Sequence, residues 1–112
     1  MKENNRLDQL LQFIEHEPND AFLQYALATE YLRINKLDKA LFYYENLINN
    51  HPDYVGTYYH LGKLYEQLNR KEDAMTTYQL SSQVAKNARN THALSELQGA
   101  YQAAAGIKYE DD

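Results

Sequence analysis

The sequence predicts an all-α protein made of repeated helix pairs. Three observations point to it. Apolar residues return at spacings of three and four, the period of a helix with one buried face. Turn and cap residues interrupt that pattern at regular intervals. The chain also matches itself when shifted by 34 residues. Pro18 falls on Pro52, Tyr25 on Tyr59, Leu27 on Leu61 and Ala28 on Gly62. Tyr31 falls on Tyr65, Ile34 on Leu68, Asn35 on Asn69, Ala40 on Ala74 and Tyr44 on Tyr78. Small, aromatic and turn residues recur in one fixed order, which is how a repeat of a supersecondary unit shows itself.

Each element follows from its own residues. The segment 3–16 carries Leu7, Leu10, Leu11, Phe13 and Ile14 and stops before Pro18, so it reads as the second helix of an incomplete upstream unit. Repeat 1 occupies 21–52. Asn19-Asp20 supplies cap chemistry for a first helix from Ala21 to Ile34, with Leu23, Leu27, Tyr31 and Ile34 on one face. Asn35 tolerates the left-handed conformation that ends a helix, and Asp38 is placed to open the next. The second helix bears Ala40, Leu41, Tyr44, Leu47 and Ile48 and ends before His51-Pro52, because a residue preceding proline is pushed out of the helical region. Repeat 2 occupies 55–86, with helices from Tyr54 to Leu68 and from Glu72 to about Lys86. Lys86 stands where a third proline would fall, so this helix is expected to run on. Leu97 and Tyr101 repeat the spacing of Leu61 and Tyr65, now 36 residues on, which makes 91–105 a C-terminal capping helix. Gly106 is its stop, and 107–112 is an acidic tail. The expectation is six helices in a single domain spanning 1–106.

Bulk composition narrows the function. The chain has 112 residues, a net charge of −5 and no cysteine. Disulfides and thiolate metal sites are excluded, and a reducing cytoplasm suits such a chain. A dispersed acidic balance disfavours nucleic acid, which needs clustered Lys and Arg, and disfavours an anionic membrane. No apolar stretch approaches the length of a membrane span, and the N-terminal residues run straight into an amphipathic pattern. A soluble, cytoplasmic protein is expected. No phosphate-cradling glycine loop, nucleophile elbow or metal-binding histidine pair is present, and the four histidines share no i, i+3 or i, i+4 spacing. His16 and His51 sit at helix ends, where a donor meets free carbonyls. Catalysis, a cofactor and a metal are therefore not expected.

The repeat resembles the tetratricopeptide repeat family, whose unit reads W-x2-L-G-x2-Y, then A-x3-F, then P. Repeat 1 offers Gln24, Leu27-Ala28, Tyr31, Ala40-x3-Tyr44 and Pro52. Repeat 2 offers Tyr58, Leu61-Gly62, Tyr65, Ala74-x3-Tyr78 and Lys86. Gln24 for Trp, Ala28 for Gly and Lys86 for Pro are departures. The resemblance implies a right-handed solenoid of stacked antiparallel helix pairs, with half-units capping its ends. Small residues at Ala28, Gly62, Ala40 and Ala74 let helices approach. Gly62→Leu should overpack such a contact, and Gly62→Ala should be tolerated, since Ala28 fills the equivalent place. Tyr31, Tyr44, Tyr65 and Tyr78 are expected in the core.

The resemblance also implies a concave inner face that holds a partner. There the residue after the Trp slot is Tyr25 in one repeat and Tyr59 in the other. Helix geometry adds Phe22, Thr29, Leu32 and Arg33 in repeat 1, and Gly56, Lys63, Glu66 and Gln67 in repeat 2. Tyrosine gives a large contact area at small entropic cost, so the expected site is Phe22, Tyr25, Thr29, Leu32, Arg33, Tyr59, Lys63 and Glu66. Lys63 and Arg33 would favour a partner with some acidic character. The carboxylate clamp of some family members needs Lys or Arg at position 25 and Asn at position 29. Tyr25 and Thr29 rule it out here. The expected function is an interaction module, a scaffold or adaptor for an unidentified protein or peptide. The alternative is a self-assembling structural oligomer, such as a homodimer that buries open repeat ends. RNA binding would want a basic inner face, which this chain lacks.

Overall fold

A computed structural model of the protein describes residues 5–106. It contains six helices and, among the described residues, no strand: α1 (Asn5–His16), α2 (Ala21–Arg33), α3 (Leu37–Asn50), α4 (Gly56–Gln67), α5 (Lys71–Asn87) and α6 (Thr91–Ala105). The expected Glu3 start of the first helix and the acidic tail at 107–112 lie outside the described residues. The helices fall into two compact units, one ending at His51 and one beginning at Pro52.

In the first unit α2 packs against both α1 and α3. Asp20 caps α2 as the sequence implies, its Oδ1 accepting from the Leu23 N–H at 2.9 Å. The helix stops in a left-handed turn at Asn35, φ 64°. There the Lys36 N–H reaches back to the Tyr31 carbonyl at 2.8 Å and the Asn35 N–H to Leu32 at 3.0 Å. This Schellman arrangement satisfies carbonyls that the helix itself leaves open. Asp38 lies in the first turn of α3 without capping it; Lys36 is the N-cap residue, and its side chain makes no cap bond. At the other end of the unit, His16 Nδ1 lies 3.2 Å from the Gln12 carbonyl and His51 Nε2 lies 2.9 Å from that of Asn19. Both histidines thus serve the carbonyls expected of them.

In the second unit α5 packs between α4 and α6, and α6 also touches α4. The turn after α4 repeats the first one: Asn69 at φ 62°, Arg70 N–H to Tyr65 O at 2.7 Å and Asn69 N–H to Glu66 O at 3.0 Å. Helix α4 begins at Gly56, not Tyr54, because the residues after Pro52 first form a turn. Helix α5 extends only one residue beyond Lys86. Arg89 takes the left-handed conformation, φ 59°, and Asn90 caps α6 by accepting from the Ala93 N–H at 3.0 Å. Gly106, φ 79°, ends α6 as expected.

The core is the one the repeat predicts. Tyr44 and Tyr78 are fully buried, and Tyr31 and Tyr65 nearly so. Leu27, Leu47, Leu61, Leu64 and Leu97 are buried with them, each worth about 1.5–3 kcal/mol. The Trp-slot residues also correspond. Gln24 Nε2 donates to the Pro18 carbonyl at 2.8 Å, and the Tyr58 hydroxyl donates to the Pro52 carbonyl. Two different side chains thus close the same proline turn, so the departure from Trp keeps a function at that position.

Candidate partner-binding surface

The residues expected on the inner face of the first unit stand on α2. Phe22 is 59% exposed, which is unusual for a ring of that size. One turn on, Tyr25 is half-buried and meets Tyr44 edge to face, ring centres 6.3 Å apart. Thr29 Oγ1 shares a 3.0 Å hydrogen bond with the Tyr44 hydroxyl. Burial pushes that phenol up to about 12, so it stays protonated and neutral throughout the physiological range. Leu32 is half-buried and Arg33 exposed. The Arg33 guanidinium is not a free cation. Its Nε donates to Glu30 Oε2 at 3.0 Å and its Nη2 bonds the same oxygen. That hydrogen bond, with the Glu30 charge, holds Arg33 above its ordinary pKa. Glu30 is itself buried, and Arg6 reaches its other oxygen from α1 at 3.5 Å.

In the second unit Tyr59 is half-buried, edge-on to His60. Lys63 Nζ lies 5.7 Å from the Tyr59 ring centre and 4.0 Å from Glu66 Oε2. The Tyr78 hydroxyl donates to the same Glu66 oxygen at 2.6 Å. Burial first, and then the hydrogen bond to the carboxylate, push the Tyr78 phenol far above its usual range. Gly56 and Gln67 are exposed at the ends of the helix.

Gly62 explains why the two units differ. A Cβ built there would stand 2.1 Å from Tyr78 Cε1 and 2.5 Å from Cζ. Tyr78 therefore lies directly over the α4 backbone, and its hydroxyl reaches Glu66, one turn beyond Gly62. In the first unit the buried Ala28 stands at the equivalent position, and the Tyr44 hydroxyl bonds Thr29 instead. The expected tolerance of Gly62→Ala is overturned, because the added methyl collides with a buried, hydrogen-bonded ring.

The sequence reading named no counterparts of the candidate residues on α6. The 36-residue correspondence carries the inner face of α4 onto His92, Ser95, Gly99, Gln102 and Ala103. Most of these are exposed, and a Cβ added at Gly99 meets nothing within 4 Å. Ala103 and Ala104 join Glu66, Asn69 and Lys71 around a hollow of about 290 Å³. The shift that aligns Leu61 with Leu97 would have located it. Leu97, the counterpart of the buried Leu61, is 1% exposed.

Other features bear on function class. No helix among the described residues is long and apolar enough to cross a membrane. No cluster of potential metal ligands occurs among them either.

The tetratricopeptide repeat pattern matches residues 20–54 and again 55–87. No curated protein matches the chain. Among solved structures it is similar to a tetratricopeptide repeat domain protein from Salinibacter ruber. The solution NMR structure of that domain is 46% identical over 85% of this chain and 96% of its own, with a TM-score of 0.77. The crystal structure is 48% identical over 80% of this chain and all of its own, with a TM-score of 0.76. The MamA protein is similar in fold alone, at 20% identity over 92% of this chain and 58% of MamA, with a TM-score of 0.69. The chain belongs to the tetratricopeptide repeat family.

Proposed function

We propose that this protein is an interaction module whose α2 and α4 inner faces hold a partner protein or peptide. Repeats of this family mediate protein–protein interaction. The observation that carries the reading is the aromatic character of the inner-face positions. Phe22 is largely exposed, and Tyr25 and Tyr59 each keep part of a ring at the surface. An exposed aromatic anchored beside a buried one is a ready contact for a partner side chain, since its rotamer is already fixed.

The same geometry revises the partner's chemistry. Arg33 shares the one Glu30 carboxylate with Arg6, and Lys63 lies beside Glu66 and the Tyr59 ring. Both cations are engaged within the chain, which weakens their pull on an acidic ligand. The partner in this reading engages the surface through apolar or aromatic side chains, and charge adds little. The test is a capture experiment from native lysate with paired baits. Tyr25→Ala and Tyr59→Ala should each weaken retention of the same partner, while Lys39→Ala and Asp73→Ala retain it. Equal retention by all four baits would refute the inner-face reading.

A further inference from the structure

We infer that the hollow between the Pro52-Asp53 turn and the end of α5 is a docking site for an arginine side chain of a partner protein, held by the Asp53 carboxylate. The site shares no residue with the inner-face surface and does not rest on that reading. The same place in the first unit shows what kind of group it is built to hold.

In each repeat a proline turn faces the end of that repeat's second helix. In the first unit the turn is Pro18-Asn19 and the helix is α3, which ends at Asn50. His51 follows, and its Nε2 lies 2.9 Å from the Asn19 carbonyl. That carbonyl only accepts, so Nε2 donates, and a planar N–H ring joins the helix end to the turn. In the second unit both members change. The counterpart of His51 is Ala85, which is fully buried and has no group to donate. The counterpart of Asn19 is Asp53, so a carboxylate replaces a neutral amide. Helix α5 also runs on past Val84, the counterpart of Asn50, to Asn87. The result is a hollow of about 370 Å³ lined by Pro52, Asp53, Val84, Asn87 and Ala88.

The lining selects one kind of occupant. Pro52, Val84 and Ala88 give apolar walls, and Asp53 is exposed. Among the described residues Asp53 makes no ion pair. The last turn of α5 adds the negative end of a helix dipole, which favours a cation. The Tyr58 hydroxyl is already committed to the Pro52 carbonyl. Burial first, and then the Asp53 charge, hold that phenol above its ordinary pKa, so it stays neutral. Two cations of the chain, Lys86 and Arg89, line a separate hollow with Leu94. An occupant therefore needs an apolar stem for the walls and positive N–H donors for the carboxylate. Arginine supplies both. Its planar guanidinium gives two parallel N–H bonds to one carboxylate and lies flat against apolar surface, whereas a lysine ammonium is a strongly hydrated point charge. It also offers the plane and the donor that His51 brings to the first unit.

The test is an NMR titration of the isotope-labelled full chain with the blocked peptide acetyl-glycyl-arginyl-glycine amide. The backbone amides of Asp53, Val84, Asn87 and Ala88 should shift and saturate. The same peptide with citrulline keeps the shape and loses the charge, and should bind about fivefold more weakly or worse. Asp53→Asn should weaken the arginine peptide by a similar factor. Ala88→Leu, which fills the hollow from an exposed position, should abolish the shifts. Both substituted positions are exposed, so the spectra should otherwise match the wild type. Free L-arginine should bind no more tightly than the peptide. Shifts confined to other residues, equal binding of the citrulline peptide, or full binding by Asp53→Asn overturns the inference. Tighter binding of free arginine overturns its assignment to a partner protein.

Discussion

Gly62 and Ala28 occupy one place in the repeat and differ by a methyl, yet that methyl decides where two tyrosines point. With it, Tyr44 bonds Thr29; without it, Tyr78 crosses the α4 backbone to Glu66. Gly62→Ala should therefore destabilise by about 1–3 kcal/mol, an overpacking cost that the better helix propensity of Ala does not offset. Thermal melts of Gly62→Ala and Ala28→Gly will show it, and the account requires the first to be the costlier by weakening the Tyr78–Glu66 bond as well. The sequence made the position legible as a close contact but hid its dependence on the neighbouring ring. His60 offers a second residue-scale test. Burial lowers its pKa, and the Glu96 carboxylate opposes this only in part. A base whose folded pKa is lowered favours folding most when neutral. Stability should be full above the usual histidine value of about 6.5 and fall as pH drops through it toward the lower folded value. Urea melts across that window should show a steeper acid loss in wild type than in His60→Gln.

Several helix boundaries were legible because each of them rests on one residue with a local physical reason. Asp20 accepts a helix N–H, Asn35 and Asn69 accept positive φ, and Gly106 ends α6. The α5–α6 boundary was not legible in the same way. Arg89 carries no preference for the left-handed region, and nothing in its side chain announces φ 59°. Arg89→Gly should therefore stabilise by up to about 1 kcal/mol, the αL strain relieved less the extra freedom of the unfolded chain. A rise in the midpoint of chemical unfolding checks it. Asn35→Gly should change stability less, because asparagine already tolerates that conformation. The start of α4 shifted by two residues because Pro52 governs the turn after it, and periodicity alone does not register a turn.

On the scale of the whole molecule, the resemblance to the repeat family suggested the candidate surface, and helical phase extended it from Tyr25 and Tyr59 to their neighbours. The pairing of charges was not readable that way. Arg33 with Glu30 sits three residues apart on α2, a spacing that also fits two solvated side chains, and only the burial of Glu30 shows that the pair is held. The partner preference accordingly moves from acidic to apolar, and raising salt should leave affinity nearly unchanged, since little of it comes from exposed charge. Titration calorimetry of a captured partner at low and high ionic strength would read this. The most direct test of the central claim is the affinity of that partner for the wild type, for Tyr25→Ala, for Tyr59→Ala and for the double variant, with unfolding midpoints measured on the same preparations. The account predicts a loss of about 1–3 kcal/mol of binding for each ring, with the fold retained. Unchanged affinity in the double variant would contradict it.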